Sequence, residues 1–203
     1  MKNIIILGNA EIKNDYSELV DSAEFVVRFN EARNYGGNSG CKADALCLTN
    51  LSTPGRLFSK YQTIKKLPFI HDVKEIWFPR PSNYLPFQFW VKPFNKNVFA
   101  RADYRKHIMS RNNLGEKKCI SFSESLYADC CSELDIPIES TEYFPSTGYL
   151  AINYVCDRFK NKNICILLIG FSFQGTACHN WDKEKQKVIE IQNGSLIKLK
   201  WIV

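Results

Sequence analysis

Short apolar stretches alternate with polar, helix-compatible stretches along most of the chain. The first, NIIILG at 3–8, has four consecutive aliphatic residues and a final glycine, which is the pattern of a buried strand. Helical patterns occupy 15–23, 149–160 and 180–193. Strands separated by helices predict an α/β fold, an α/β/α sandwich around a mostly parallel, doubly wound sheet. Six further strand-like stretches lie at 24–30, 44–49, 74–79, 117–122, 163–170 and 195–203.

The carboxyl ends of the predicted strands indicate where a ligand would bind, because parallel sheets bind ligands beyond those ends. Gly8 and Asn9 end the first strand, Asn30 ends the second, and Gly170 ends the sixth. An asparagine side chain offers one hydrogen-bond acceptor and two donors, enough to contact a base, a ribose or a phosphate. Asn9 and Asn30 fit plain turns equally well, so this interpretation stays open.

The sequence FPSTG at 144–148 places small residues directly before an apolar helix. Ser146 or Thr147 can cap that helix, and Gly148 would let a ligand approach the backbone. A helix N-terminus carries free N–H groups and about half a positive charge, so the turn is a candidate phosphate site, although it also fits an ordinary helix start. G-x-x-x-x-G-K-[ST] and G-x-G-x-x-G are both absent, which excludes the familiar nucleotide loops.

Arg28 alternates with apolar residues in the second predicted strand. A charge at such a position, in a sheet covered on both faces, must be paired. Two interpretations remain. Either Arg28 pairs with an acid such as Asp44 and has a structural role, or its side chain reaches the binding edge.

His179 is the best candidate for acid–base chemistry among the three histidines. It follows the sixth strand and forms H-x-x-x-x-E with Glu184, whereas His71 and His107 fit surface positions. Residues five apart on a helix diverge by about 140°, so we expect His179 to precede the helix that contains Glu184. A histidine there suits a general base near neutral pH. The chain has no D-x-D after a strand and no cluster with metal-ligand spacing, so we expect no metal.

Length and composition fit one domain over residues 1–203, with an ordinary hydrophobic content of 45%. The eight cysteines include no C-x-x-C, which favours a reduced, cytoplasmic protein. The first apolar run is interrupted too early for a secretory signal, and no window approaches the roughly 18 apolar residues of a membrane span.

Positive charge is concentrated in the middle of the chain. The net charge is +6, and the segment 80–118 alone carries nine Lys or Arg residues against two acids. It overlaps an aromatic, proline-rich run, and we interpret about 77–113 as an irregular insertion in the sheet. A basic, aromatic segment suits an anionic membrane surface or a nucleic acid, and a solvated loop is an equal alternative.

Three stretches together resemble the animal-type sialyltransferases, glycosyltransferases that use CMP-sialic acid. ILGNAEI at 6–12 with DSAEFVVRFNEARNYGGNSGCKAD at 21–44 is similar to that family's long motif. FPSTGYLAINYVC at 144–156 resembles its small motif, P-S-T-G-x-x-A. HNWDKEK at 179–185 resembles its final H-x-x-x-x-E motif, although HNWD is also a candidate for the family's third motif, which has no other counterpart here.

The resemblance implies a glycosyltransferase A-like variant without D-x-D, which transfers sugar from a CMP-sugar with inversion and without metal. It implies that Asn9 and Asn30 contact CMP and that the FPSTG turn holds the cytidine and phosphate. It also implies that His179 deprotonates the acceptor hydroxyl. The predicted site comprises catalytic His179 and Glu184 with donor-binding Gly8, Asn9, Arg28, Asn30, Ser146, Thr147, Gly148 and Gly170.

Composition and small size suggest a bacterial member that acts in lipooligosaccharide or capsule synthesis at the inner face of the cytoplasmic membrane. The expected partners are a CMP-sugar donor, carrying sialic acid or a related acid such as Kdo, and a glycan or glycolipid acceptor. The segment 80–118 would contact anionic lipid, and no cofactor or nucleic acid is expected. Two alternatives remain: a CMP-binding protein without transferase activity, and a basic nucleic-acid-binding module.

Overall fold

A seven-stranded sheet forms the centre of the computed structural model, which describes residues 2–81, 103–138, 140, 142–160, 162–194 and 198–202. Neighbouring strands are parallel throughout, in the order β5-β4-β3-β2-β1-β6-β7. The strands are β1 (Lys2–Leu7), β2 (Phe25–Phe29), β3 (Ala45–Cys47), β4 (Glu75–Phe78), β5 (Lys118–Ser121), β6 (Ile164–Ile169) and β7 (Leu199–Ile202).

The direction in which strands are added reverses at β1. The chain places β2 to β5 on one side of β1, then returns to place β6 and β7 on the other side. This is a doubly wound parallel sheet, so the fold class predicted from the sequence is confirmed. In such a sheet the ligand crevice opens beyond the carboxyl ends of the strands at the reversal, here β1 and its neighbours.

Helices cover both faces of the sheet. The helices are α1 (Ser17–Asp21), α2 (Ser52–Tyr61), α3 (Arg105–Arg111), α4 (Glu124–Glu133), α5 (Thr147–Phe159) and α6 (Trp181–Asn193). The packing of β1 explains why its sequence is one apolar run. Ile4 and Ile6 pack into a cluster with α4, α5 and α6, whereas Ile5 and Leu7 pack on α1. A further cluster packs α2 and α3 against β3 and β4. Because helices pack on both faces of β1, no position between Ile4 and Leu7 is left for a polar side chain.

All seven predicted strands and all three predicted helices form, whereas α2, α3 and α4 were not predicted. The predicted insertion at 77–113 is too wide. Trp77 and Phe78 belong to β4 and are fully buried, and α3 is a regular helix that packs on α2. Residues 82–102 of the insertion lie outside the described residues. Within the described ranges, no helix has both the length and the apolar character that a bilayer crossing requires.

Candidate functional site

A cavity of about 390 Å³ opens at the carboxyl edge of the sheet, where β1, β2 and β6 end and α5 begins. Every predicted site residue except Arg28 lines this cavity. The fold therefore brings the three motif stretches to one place. The other lining residues are Ala10, Phe29, Arg33, Thr49, Tyr149, Phe171, Ser172, Phe173, Gln174 and Trp181.

The start of α5 presents two free backbone donors to the cavity. Ser146 is the N-cap residue, and its hydroxyl accepts a hydrogen bond from the Tyr149 N–H at 3.0 Å. The N–H groups of Thr147 and Gly148, at the first two helical positions, have no acceptor among the described residues. These donors add to the positive end of the α5 dipole, so the turn can bind an anion.

Glu184 fixes this turn from the opposite side. It lies in the first turn of α6 with no exposed surface, and its carboxyl oxygens accept from the Ser146 N–H at 2.7 Å and the Ser146 hydroxyl at 2.6 Å. Burial raises the pKa of Glu184 to about 7, against the lowering effect of Ser146 and of the Arg80 charge. Both carboxyl oxygens of Glu184, which was predicted to be catalytic, are thus engaged with Ser146 at the start of α5.

His179 precedes α6, as the sequence spacing predicted, and its tautomer is fixed by one contact. Its Nδ1 lies 2.8 Å from the Phe144 carbonyl oxygen, which can only accept, so Nδ1 carries the proton and Nε2 keeps its lone pair. Burial lowers the pKa of His179, and the Arg80 charge adds to that effect against the Phe144 hydrogen bond. The imidazole is therefore neutral near pH 7 and equipped to accept a proton at Nε2.

The two asparagines differ in how much of each side chain remains for a ligand. Asn9 accepts from the Arg33 N–H at 3.0 Å and donates to the Phe29 carbonyl at 3.2 Å, which ties the end of β1 to the turn after β2. Asn30 accepts from the Thr49 N–H at 3.0 Å, and its amide NH₂ has no partner among the described residues. Asn30 is thus the better placed of the two to donate into the cavity.

Gly8 and Gly170 line the cavity for a steric reason. A Cβ atom on Gly8 would lie 2.1 Å from the Gly170 carbonyl oxygen, far inside van der Waals contact. Gly170 has φ +71°, a conformation that glycine adopts without strain. The ends of β1 and β6 approach this closely because neither residue has a side chain, and the Ala10 N–H donates to the Gly170 carbonyl at 2.9 Å.

Arg28 does not reach the cavity, so its inclusion in the donor-binding set was wrong. Arg28 is 1% exposed, and its guanidinium donates to the Lys42, Ser39 and Gly40 carbonyls and to the Ser39 hydroxyl. The suggested ion pair with Asp44 does not form either, since the Asp44 carboxylate contacts Lys74 at 3.0 Å and the Val26 N–H. Arg28 instead holds the glycine-rich loop in place, because carbonyl oxygens of that loop accept its hydrogen bonds.

Several cavity residues were missed, and strand ends were the signal that pointed to them. Thr49 lies two residues after the end of β3, and its hydroxyl lies 3.1 Å from that of Thr147. Phe171 and Phe173 follow β6 and form an aromatic wall with Phe29. Arg33 follows β2, and its exposed guanidinium has no ion-pair partner among the described residues.

Two solved sialyltransferase structures resemble the fold of this chain over nearly its whole length. The sialyltransferase CstII from Campylobacter jejuni, in complex with the substrate analogue CMP-3FNeuAc, matches 99% of this chain and 81% of its own, with 19% identity and a TM-score of 0.59. A mammalian sialyltransferase, in complex with Gal-beta-1-3GalNAc-ortho-nitrophenol, matches 99% of this chain and 69% of its own, with 15% identity and a TM-score of 0.54. The chain therefore has a sialyltransferase-like fold, as the sequence resemblance implied.

A distant sequence relative also spans most of the chain. The urease operon 23 kDa accessory protein of Rhizobium meliloti (strain 1021) is 21% identical over 202 residues, which cover 91% of this chain and 86% of that protein. No protein-family model matches the chain. The likeness to solved structures therefore shows the fold of this chain.

Proposed function

We propose that this protein is a CMP-sugar-dependent glycosyltransferase that moves sialic acid, or a related acid sugar such as Kdo, to an acceptor hydroxyl. One observation carries the proposal. On a sialyltransferase-like fold, the free N–H groups at the start of α5 share a cavity with a neutral histidine whose Nε2 can accept a proton.

The donor phosphate would bind the turn at the start of α5. The N–H groups of Thr147 and Gly148 and the helix dipole favour negative charge there, and they favour it more as the CMP phosphate leaves. The Asn30 amide and the Thr49 hydroxyl lie on the same cavity wall and suit a ribose or a base. Because these groups meet the leaving charge, we propose that transfer proceeds without a divalent metal.

His179 would act as the general base. The acceptor hydroxyl loses its proton to Nε2 as its oxygen bonds to the anomeric carbon, and the bond from that carbon to the phosphate oxygen breaks, with the electron pair leaving on CMP. A single displacement of this kind inverts the anomeric configuration. The Phe144 carbonyl accepts from Nδ1–H throughout, which stabilises the imidazolium that forms.

The acceptor and the cellular setting follow from the sequence-based expectation. A glycan or glycolipid of lipooligosaccharide or capsule synthesis would reach His179 from the open side of the cavity. Contact with an anionic membrane through 80–118 stays a prediction. At the described end of that segment, Lys106 and Arg111 are exposed on α3, whereas Arg105 is bound to Asp103 at 2.6 Å.

Thermal unfolding with CMP, UMP, AMP and GMP, each in EDTA, tests the donor assignment. A ligand at about 100 times its Kd adds roughly 2.7 kcal/mol of stability, which for a domain of this size raises Tm by several degrees. A shift with CMP alone supports the proposal, and transfer from CMP-sialic acid or CMP-Kdo then identifies the sugar. No shift with any nucleotide, combined with strongly salt-dependent oligonucleotide binding, would favour the nucleic-acid-binding module instead.

A further inference from the structure

A buried arginine lies beside the cavity and takes no part in the function proposed above. Arg80 follows β4 and is 7% exposed. Among the described residues, no carboxylate lies within ion-pair distance of Arg80, and none accepts a hydrogen bond from its Nε–H. Removing a guanidinium from water without a direct counter-charge is costly, so its contacts should explain why the position is arginine.

The contacts of Arg80 converge on the turn before α5. Its Nη2 donates to the Pro145 carbonyl at 3.3 Å, and its Cζ lies 4.6 Å from the centre of the Phe144 ring. Its own backbone is held by Asn50, whose amide donates to the Arg80 carbonyl at 2.9 Å. The guanidinium is therefore held in place and contacts two consecutive residues of the turn, Phe144 and Pro145.

Glu184 holds the other side of the same peptide unit. The peptide between Pro145 and Ser146 offers its C=O to Arg80 and its N–H to Glu184. One residue earlier, the Phe144 carbonyl bonds His179 Nδ1, and the Phe144 N–H donates to the Cys178 carbonyl at 3.0 Å. The turn is thus joined to β4, to α6 and to the loop that carries His179.

We propose that Arg80 is a positioning residue which, together with Glu184, clamps the Pro145–Ser146 peptide and so holds the anion-binding turn and His179 in one fixed arrangement. The inference rests on the proposed function, because it gives the clamp its purpose. A tilt of this peptide would move the Thr147 and Gly148 donors and the Phe144 carbonyl together. Donor binding and proton transfer would then weaken at the same time.

Electrostatics gives the clamp a measurable signature. Arg80 is the charged group that lowers the pKa of His179, and it also lowers that of Glu184. The groups facing Arg80 are Tyr127 and Cys131 from α4, Cys178 from the loop after β6, and Glu184 from α6. Removing the cation should let both His179 and Glu184 hold their protons to higher pH.

The test compares the full chain with Arg80→Gln, which removes the charge, and Arg80→Lys, which keeps it. The matched control is Arg158→Gln, which breaks an ion pair with Glu75 at the far end of α5. Each protein is titrated by NMR of the histidine rings without ligand, with exposed His71 and His107 as internal references. The dissociation constant for CMP is then measured by calorimetry.

Arg80→Gln is expected to raise the His179 midpoint, because the Arg80 charge lowers the pKa of His179 in the wild type, and to weaken CMP binding roughly tenfold. Arg80→Lys should keep the wild-type midpoint, and Arg158→Gln should change neither quantity. Unchanged values in Arg80→Gln, or equal changes in the control, would overturn the inference. If Arg80→Gln does not fold, Arg80→Lys decides: weaker CMP binding at an unshifted midpoint supports the clamp, and a shifted midpoint rejects it.

Failure of the proposed function would look different. A wild-type chain that binds no CMP would contradict the donor assignment, while the NMR midpoints would still report whether Arg80 holds His179. A wild-type chain that binds CMP, with an Arg80→Gln variant that matches it in both readouts, would reject the clamp alone.

Discussion

Replacing Glu184 with glutamine should remove the contribution of this carboxyl to the pH dependence of the free energy of unfolding. Glutamine has the same shape, and its carbonyl oxygen can still accept from the Ser146 N–H, so the turn before α5 is kept. What the substitution removes is a carboxyl that burial keeps protonated to a higher pH than in the unfolded chain.

The size of the effect follows from the pKa of Glu184, which is raised from 4.5 to about 7 in the folded protein. Below the lower value the carboxyl is protonated in both states and contributes full stability. As the pH rises further, the unfolded chain releases its proton first, so the free energy of unfolding falls until the folded carboxyl also ionises. At about 1.4 kcal/mol per unit of pKa, the loss is about 3 kcal/mol above neutral pH.

Urea unfolding of the wild type and Glu184→Gln between about pH 4 and pH 8 measures this loss. The two proteins should be nearly equal in stability at the acidic end, and the variant should be more stable by about 3 kcal/mol at the alkaline end. Glu190→Gln is the control, because Glu190 lies exposed on the same helix. A constant offset between wild type and Glu184→Gln over the whole range would refute the claim that this carboxyl is desolvated.

Three further predictions address the base, the sheet edge and the basic segment. His179→Ala should lower the transfer rate at least 100-fold, about the contribution of a general base, and leave CMP affinity nearly unchanged. In the wild type, the transfer rate should rise with pH and reach half its maximum below pH 6.5, because the pKa of His179 is lowered from that value. Gly8→Ala should destabilise the fold by about 1–3 kcal/mol in urea unfolding, whereas Gly115→Ala, where a Cβ meets nothing within 4 Å, should not. Lys106→Glu with Arg111→Glu should reduce turnover of a lipid-linked acceptor but spare CMP binding, and an equal loss of both would contradict a membrane role for this segment.

The central strands were well predicted because both of their faces are buried, whereas the edge strands β5 and β7 are partly exposed. Each central strand is then a mostly apolar run, and the polar or glycine residues that follow β1, β2 and β6 mark the binding edge. The missed helices carry weaker signals. The α2 sequence contains Pro54 and Gly55, which read as a loop, and α4 has little apolar periodicity, although Ser123 caps it through the Leu126 N–H at 3.2 Å.

The candidate site was predictable where its residues follow strands or form motifs, and unpredictable where the role depends on distant contacts. Asn30, Thr147 and His179 belong to the first group. Arg28 and Arg80 belong to the second, since each is an arginine beside or within a strand whose sequence surroundings give no partner. Arg28 donates to carbonyls of the glycine-rich loop, and Arg80 donates to a carbonyl of the turn before α5. That difference arises from tertiary packing alone.

The pairing of β1 with β6 sets when the site can form during synthesis. Lys2 pairs with Ile164 and Leu7 with Ile169. Because synthesis proceeds from the N-terminus, β1 can pair with β6 only after more than 150 further residues have been made. The growing chain can stack β2 to β5 on one side of β1 long before the Gly170 side of the cavity exists. Donor binding should therefore appear late and all at once, and a ligand in the cell would stabilise the finished protein without assisting its nascent chain.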